Sequence, residues 1–263
     1  MTRELPMKVP AETLNAINPG PYRFPDVHAY QISFRSDPEL VASLVPEPLV
    51  ANKSGAVTIV VAQYHGGVVT PTETLPGYNE LVISVPSKYR GADGKELKGG
   101  YMVQLYLADR EPQSGCDPTL LGLMIPGYPK RICAFQEFVR GETRRLRFAR
   151  RGEDVLGLRI TDAPLAPVSL PAMRGHSFVL KYVPSGSEDR CADVLKLNLI
   201  HGSTQMTSMA KIDVAFDGDA IRLDTGLVIP VREVGLASRC RMDMAPIATT
   251  ELIDFLTDGS RPS

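Results

Sequence analysis

The sequence predicts a mainly β protein, built as an antiparallel sheet or barrel with few helices. Short segments that alternate apolar and polar residues, or that are rich in β-branched residues, recur at close spacing along the 263-residue chain. Between them, 22 glycines and 22 prolines mark frequent turns. The regular alternation of strands with helices that builds a parallel sheet does not occur.

The first elements are predicted from alternation and capping signals. We expect residues 1–19 to form an N-terminal arm, since its prolines prevent a long helix, and residues 20–263 to form a single domain. The first strand is predicted over residues 30–35. Ser36 is placed to cap a short helix that ends near Leu44, before the two prolines that follow.

The middle of the chain predicts a buried strand and a hairpin. Residues 57–62 are apolar and β-branched on both faces, which is typical of a buried strand. Residues 70–77 are predicted to form a loop, and residues 80–85 a strand. Residues 87–100 are predicted to form a hairpin tip with its turn at Asp93-Gly94. Further strands are predicted over residues 101–107, 134–140, 144–150, 155–160, 178–183, 193–200, 204–216 and 220–223, and a capped helical turn or two over residues 249–256.

Composition and charge disfavour several classes of protein. A net charge of −1, with 43% hydrophobic and 22% charged residues, gives no global field that would draw the chain to nucleic acid or to an anionic membrane. The first ten residues lack the apolar core of a secretory signal, and no apolar run reaches the ~18 residues of a spanning helix. We therefore expect a cytoplasmic protein with neither nucleic acid nor membrane as a partner.

The usual motifs for metals and nucleotides do not appear. The four histidines lack the spacing of a metal site, the four cysteines form no C-x-x-C pair, and residues 91–95 lack the length and hydroxyl of a phosphate loop. Six arginines between Arg140 and Arg151 form a basic stretch without an aromatic platform, so we expect a solvated face that pairs with acids. Neither a metal nor a cofactor is predicted.

Lys130 has the most unusual surroundings of any candidate residue. It lies between Pro129 and Arg131, shortly after an apolar run over residues 120–125. Burial and a neighbouring cation both disfavour the ammonium form, and a free amine is what a Schiff-base enzyme needs. An ordinary lysine titrates at about 10.4, and we expect desolvation to supply most of the required change, with Arg131 helping. Taken alone, a lysine at such a position is more often an exposed loop residue.

Glu80 is a candidate carboxylate partner for Lys130. It stands at the start of a predicted strand, directly after a loop. That position suits a catalytic carboxylate and equally a surface glutamate. Residue chemistry alone leaves the pairing open.

Five segments, in order along the chain, resemble the acetoacetate decarboxylase family. They are residues 20–24, 44–49, 122–131 with Gly127-Tyr128-Pro129-Lys130 at the centre, 178–184 and 230–234. The resemblance covers about residues 20–256. It implies a mainly β fold with a few small helices, in which a curved antiparallel sheet closes into a barrel-like cone, and assembly as a homo-oligomer.

The resemblance also implies roles for individual residues. Lys130 is the implied Schiff-base lysine in an apolar cavity, and Arg131 stands where the family's decarboxylases carry a second lysine. Glu80 matches the family's catalytic glutamate by its spacing to Val85-Pro86, with a role in proton transfer or substrate orientation. The candidates for lining the substrate pocket are Tyr78, Gln104 and Tyr128.

Two departures from the family bear on the substrate. Val27 stands where the family's decarboxylases carry an arginine that helps with the substrate carboxylate, and residues 57–62 lack the family's second glutamate. The candidates to replace that arginine are Arg23, Arg35 and Arg131.

These observations lead to three hypotheses. The leading one is a lyase that decarboxylates acetoacetate or a related β-keto acid through a Lys130 imine and enamine. The alternative is a relative that runs aldol, dehydration or hydration chemistry on pyruvate or another α-keto acid, which the departures favour. A second alternative is a non-catalytic protein that binds a small ketone or acid.

Overall fold

The computed structural model describes residues 22–70, 73–75, 77–109, 127–184, 192–223 and 225–256. Over these residues it contains one α-helix, α1 (Pro38–Ser43), and 18 β-strands. The predicted arm over residues 1–19 lies outside the described residues. The strands are β1 Tyr22–Arg35, β2 Val50–Ala51, β3 Ala56–Tyr64, β4 Gly67–Thr70, β5 Glu73–Leu75, β6 Tyr78–Arg90, β7 Glu96–Asp109, β8 Lys130–Ile132, β9 Ala134–Arg140, β10 Thr143–Arg150, β11 Glu153–Thr161, β12 Ala166–Pro167, β13 Met173–Pro184, β14 Ala192–Lys211, β15 Asp213–Phe216, β16 Ala220–Arg222, β17 Val228–Pro230 and β18 Glu233–Asp254.

Seven strands close into a ring, in the order β1, β18, β14, β13, β7, β6, β3 and back to β1. Neighbours in the ring are antiparallel except β13 and β7, which run parallel with Ser177 opposite Gly100. Gly99 allows the close approach, because a Cβ there would lie 2.5 Å from the carbonyl oxygen of His176. The prediction of a mainly β fold is confirmed. The sheet was predicted to be antiparallel throughout, and the parallel pair of β13 and β7 departs from that prediction.

Strands β1, β3 and β6 bury side chains on both of their faces. On one face, Ile32, Phe34 and Ile59 pack with Leu146 and Leu158, which belong to a second sheet of order β15-β11-β10-β9. This double burial is why residues 57–62 are apolar throughout instead of alternating.

The second sheet carries the arginine stretch, and its arginines pair with acids as predicted. The Nε atom of Arg145 lies 2.7 Å from Asp217 Oδ2, and an Arg147 nitrogen lies 2.6 Å from Asp154 Oδ1. Arg144 lies between the Glu137 and Asp162 carboxylates. The basic stretch is therefore partly neutralised by its own neighbours.

The opposite face of β1, β3 and β6 packs into a separate group of side chains, here called the active-site cluster. Its members come from six strands of the ring, so it lies where these strands face one another. They are Phe24, Val27, Ala29, Ala62, Tyr64, Tyr78, Val82, Leu105, Leu107, Met206, Cys240 and Met242, with Tyr128 packed against them.

Most predicted strands are confirmed. The predicted hairpin turn at Asp93-Gly94 is also confirmed, and Gly94 has a φ of 80° there. The helix α1 is also confirmed, but its cap is Asp37 and not Ser36. The Asp37 side chain accepts hydrogen bonds from the amides of Glu39 and Leu40. Its carboxylate also suits the positive end of the helix.

Two local predictions are wrong. Residues 70–77 were expected to form a loop, but β4 and β5 pair here as a short hairpin, with residues 71, 72 and 76 outside the described residues. The helical turn expected over residues 249–256 is instead the end of β18, where Thr249 pairs with Ile200 and Thr250 with Leu199 of β14. The β-branched residues of this segment favour a strand once such a partner is available.

Within the described part of the chain, no helix has the length and apolar character needed to cross a membrane.

Candidate active site

Lys130 opens the short strand β8, which pairs in parallel with β7 so that Lys130 lies beside Leu105. The turn before it depends on Gly127, which has a φ of 83°. A Cβ at Gly127 would also lie 2.4 Å from Cβ of Lys181 on β13. The segment that delivers Lys130 therefore packs closely against the neighbouring strand.

Glu80 reaches Lys130 from the adjacent strand of the ring. Glu80 lies opposite Leu107 in the β6–β7 pair, and it projects from the same face of β6 as Tyr78 and Val82, which both belong to the active-site cluster. Its Oε1 atom lies 3.2 Å from Nζ of Lys130, and the two side chains are 5% and 7% exposed. Among the described residues, these are the two buried side chains that carry a formal charge.

Tyr64 supports Glu80 from the third strand, β3. Its hydroxyl donates a hydrogen bond to Glu80 Oε2 over 3.2 Å. Burial, followed by the nearby Glu80 carboxylate, raises the pKa of Tyr64 well above its ordinary value. The phenol therefore keeps its proton at neutral pH and remains a donor.

Aromatic rings enclose the lysine–glutamate pair. The Lys130 Nζ atom lies 5.6 Å from the ring centre of Tyr78 and 5.4 Å from that of Tyr128. Tyr78 stacks on Tyr64 with ring centres 4.4 Å apart, and Phe24 meets Tyr64 edge to face at 5.0 Å. Burial raises the pKa values of Tyr78 and Tyr128 as well, so both rings are uncharged at neutral pH. Such faces attract a cation and pack equally well against a flat, uncharged group.

Gln104 lies near Lys130, but its side chain projects from the face of β7 that is turned away from the Lys130–Glu80 pair. Its neighbour Leu105 belongs to the active-site cluster, so alternation directs Gln104 away from it. The Gln104 amide donates hydrogen bonds to the carbonyl oxygens of Pro129 and, at 3.3 Å, Leu105. It holds the strand that carries Lys130 and does not line the pair.

The structure brings none of the three candidate arginines to the pair. Arg131 is exposed and follows Lys130 in β8, so it projects from the opposite face, where its Nη1 donates to the Lys130 carbonyl oxygen over 3.1 Å. Arg35 is the last residue of β1, and its side chain is 66% exposed and lies 3.8 Å from Glu233. Arg23 is also exposed.

Val27 belongs to the wall of the site and is 1% exposed. It lies in the active-site cluster together with Ala62, so this wall of the site is apolar. The resemblance implies an arginine and a second glutamate at these places in the family's decarboxylases. Tyr64 was missed because the strand over residues 57–62 continues for two more residues. Extending the alternation from Ala62 would have placed Tyr64 on the same face.

A second group of polar side chains was also missed. Atoms of Asp26, His28 and His65 that can bind a metal lie within 4.8 Å of one another. Sequence spacing does not reveal this group, since β1 supplies two members and the end of β3 the third.

Residues 4–244 match the family model for acetoacetate decarboxylase (ADC), which is most of the chain. The chain belongs to the acetoacetate decarboxylase family. Over 117 residues, or 44% of this chain, it is 32% identical to acetoacetate decarboxylase 1 of Bradyrhizobium diazoefficiens. Over 113 residues, or 43% of this chain, it is 32% identical to the acetoacetate decarboxylase of Bordetella avium. These stretches span 40% and 39% of the two relatives.

Solved structures share the fold of this family member. The acetoacetate decarboxylase of Legionella pneumophila matches with a TM-score of 0.70 and 17% identity, over 90% of this chain and 89% of that one. Another structure of acetoacetate decarboxylase matches with a TM-score of 0.67 and 19% identity, over 95% and 97%. The enduracididine biosynthesis enzyme MppR complexed with pyruvate matches with a TM-score of 0.66 and 15% identity, over 90% and 92%.

Proposed function

We propose that this protein is a Schiff-base-forming lyase that decarboxylates acetoacetate or a related β-keto acid at Lys130. The observation that supports it best is the buried contact of 3.2 Å between Lys130 Nζ and Glu80 Oε1, enclosed by tyrosine rings. A buried ion pair adds little stability to a fold, so its presence here favours a chemical role.

The first stage is formation of the imine. Glu80 accepts a proton from the Lys130 ammonium, which removes both buried charges at once and frees the nitrogen lone pair. Nζ then attacks the ketone carbon of the substrate, and the carbonyl oxygen takes up a proton. The protonated Glu80 returns its proton as the resulting hydroxyl leaves as water, giving a protonated imine. The Tyr64 hydroxyl holds Glu80 in place through Oε2.

The second stage uses the imine as an electron sink. The bond between the α-carbon and the β-carboxylate breaks, carbon dioxide leaves, and the electron pair moves through the new C=C bond onto the imine nitrogen. The resulting enamine takes a proton on carbon, and water then hydrolyses the imine to release the ketone and restore Lys130. The apolar wall formed by Val27 and its neighbours favours this step, since charge is lost from the substrate as carbon dioxide forms.

The departures from the family's decarboxylases support a second candidate function. Val27 and Ala62 form an apolar wall instead of the arginine and second glutamate that the resemblance implies for those enzymes, and MppR, which shares this fold, has been solved in complex with pyruvate. In this alternative, the enamine formed from pyruvate or another α-keto acid attacks an aldehyde, and loss of water gives a condensation product. Lys130 has the same role in both functions.

Borohydride trapping tests the proposal. The protein is incubated with acetoacetate, then separately with pyruvate and with a panel of longer keto acids, and each sample is reduced and mapped by peptide mass spectrometry. We expect an adduct on Lys130. Lys130→Arg keeps the charge but cannot form this imine, so it should lose trapping, while Lys181→Arg on the neighbouring strand should keep it.

The outcomes separate the candidates. Trapping with acetoacetate and release of carbon dioxide supports decarboxylation, whereas trapping with pyruvate and no carbon dioxide from any β-keto acid supports the aldol alternative. No adduct with any carbonyl compound contradicts both and leaves a non-catalytic binding protein. Assembly as a homo-oligomer and a cytoplasmic location stay predictions, to be checked by light scattering and by cell fractionation.

A further inference from the structure

Three metal-ligating side chains meet on the face of the ring sheet opposite the active site. His28 lies between Val27 and Ala29 of the active-site cluster, so alternation directs its side chain to the other face. Asp26 lies at an irregularity of β1 between Phe24 and Val27, where its φ is 53°, and its Oδ1 lies 3.3 Å from Nε2 of His28. His65 directly follows β3, the strand that pairs with β1. Neither the decarboxylase proposal nor its alternative uses any of the three.

The distances within this group are close to those of a metal site. Nε2 of His28 lies 3.3 Å from Oδ1 of Asp26, and the His28 and His65 rings meet edge to face with centres 4.6 Å apart. A tetrahedral site with bonds of about 2.0 Å has ligand atoms about 3.3 Å apart along each edge. All three ligand atoms lie within 4.8 Å of one another. The three atoms therefore lie near, but not at, the spacing of such a site.

The position of one ring nitrogen also suits a cation. Nε2 of His28 is the atom that lies 3.3 Å from Asp26 Oδ1. Within the described residues, His28 Nε2 is buried without a hydrogen bond of acceptable geometry. A metal ion would satisfy this nitrogen.

The Asp26 carboxylate already has a cationic partner. Arg241 donates two hydrogen bonds to Asp26 Oδ1, over 2.9 and 2.7 Å, which orients the carboxylate as an outer partner of a metal ligand does. The backbone amide of Asp26 donates to Asp243 Oδ1 over 2.8 Å. A metal ion would therefore share the Asp26 carboxylate with the guanidinium. The competing interpretation is a salt bridge between Asp26 and Arg241 that binds nothing.

We propose that Asp26, His28 and His65 form a binding site for one divalent transition-metal ion of the class of Zn²⁺ or Co²⁺. Two imidazoles and one carboxylate are the donors that such ions prefer, whereas Mg²⁺ and Ca²⁺ prefer oxygen alone. Three protein ligands leave at least one position for water or another small ligand.

The test is metal binding by the full chain, independent of any activity. The protein is stripped with EDTA, and Zn²⁺ is then titrated by calorimetry and in competition with a chromogenic chelator. Co²⁺ is added separately, because its visible absorption bands report the ligand geometry. We expect one Zn²⁺ per chain, a cobalt spectrum typical of nitrogen and oxygen ligands, and no comparable response to Mg²⁺.

Variants decide whether the ion sits where we propose. His65→Ala removes an exposed ligand and should weaken Zn²⁺ binding by at least about 100-fold, and Asp26→Asn should weaken it as well. His201→Ala is the matched control. His201 on β14 lies directly opposite His176 on β13, and this pair of histidines is the competing place where a metal ion could bind. Binding that persists in His65→Ala, that disappears in His201→Ala, or that is absent from the unmodified protein overturns the proposal. Lys130→Arg, which keeps the buried charge and loses the amine that forms the imine, should bind Zn²⁺ normally, which separates this site from the proposed lyase chemistry.

Discussion

Removing one member of the Lys130–Glu80 pair should destabilise the fold far more than removing both. Each side chain is at most 7% exposed, and each balances the charge of the other across 3.2 Å. In Glu80→Gln, the Lys130 ammonium loses its counter-charge. In Lys130→Met, the Glu80 carboxylate keeps, among the described residues, the hydrogen bond from Tyr64. The double variant leaves neither charge in the core.

The expected magnitudes follow from the burial of the pair. Leaving one buried charge without its partner lowers the free energy of unfolding by about 3–5 kcal/mol, whereas replacing both members by uncharged residues of similar volume is often close to neutral. The two single changes should therefore fail to add, with an interaction free energy of about 3 kcal/mol or more. With a urea slope near 3 kcal/mol per M, each single variant would lose about 1–2 M in its unfolding midpoint.

Urea unfolding at pH 7, followed by fluorescence and circular dichroism together, measures all four proteins. The matched control is the exposed pair of Arg35 and Glu233, whose side chains are 66% and 68% exposed over a distance of 3.8 Å. The same cycle there, with Arg35→Met and Glu233→Gln, should show coupling close to zero. Additive effects at Lys130 and Glu80, or a double variant less stable than either single one, would refute the account of a buried pair of charges.

Three further predictions concern neighbouring side chains. Tyr64→Phe removes the hydrogen bond to Glu80 Oε2. For the keto acid that is trapped, kcat/KM should fall about 10-fold or more, while borohydride trapping at Lys130 persists. An unchanged kcat/KM would rule out this positioning role of Tyr64. Burial lowers the pKa of His28 in the folded protein, so the unfolded chain binds the proton more readily. The stability that His28 contributes is present above about pH 6.5 and is lost as the pH falls through the pKa of His28 in the folded protein. In acid unfolding curves, His28→Asn should therefore make the free energy of unfolding depend less on pH. Burial also raises the pKa of Cys240 to about 11, so peptide mapping should find its thiol unlabelled by a disulfide reagent until urea unfolds the protein, and labelling of the native protein would contradict the packing.

The strands could largely be predicted from the sequence, because alternation and β-branched runs are local signals. Closure of the ring has no such local signal, since the pairing of β1 with β18 joins distant parts of the chain, and it was predicted from the family resemblance alone. Residues 249–256 show the limit most clearly. Their threonines followed by Glu251 look like a helix cap, and only the presence of β14 alongside makes the strand the better structure.

Residue type and family spacing together predicted Lys130 and Glu80 as partners. The structure puts the two side chains in contact, and their catalytic roles stay predictions. The arginines failed for a simple physical reason: Arg131 shares a strand with Lys130 and therefore projects from its other face. Tyr64 was missed because the predicted strand ended at Ala62. Alternation extended to Tyr64 gives the face of its side chain, whereas its contact with Glu80 depends on the pairing of β3 with β6.

The pairing of β18 with both β1 and β14 has a consequence for how the protein is made. Ala29 and Cys240, which lie opposite each other where the ring closes, are 211 positions apart in the chain. At about 5–20 residues per second, a ribosome needs about 10–40 s to travel that distance. During that interval β1 has β3 on one side, but its other edge waits for a strand that has not yet emerged. A nascent chain of this protein is therefore most exposed to wrong partners along the outer edge of β1, and chaperone binding should be concentrated there until Met242 arrives to complete the wall beside Val27.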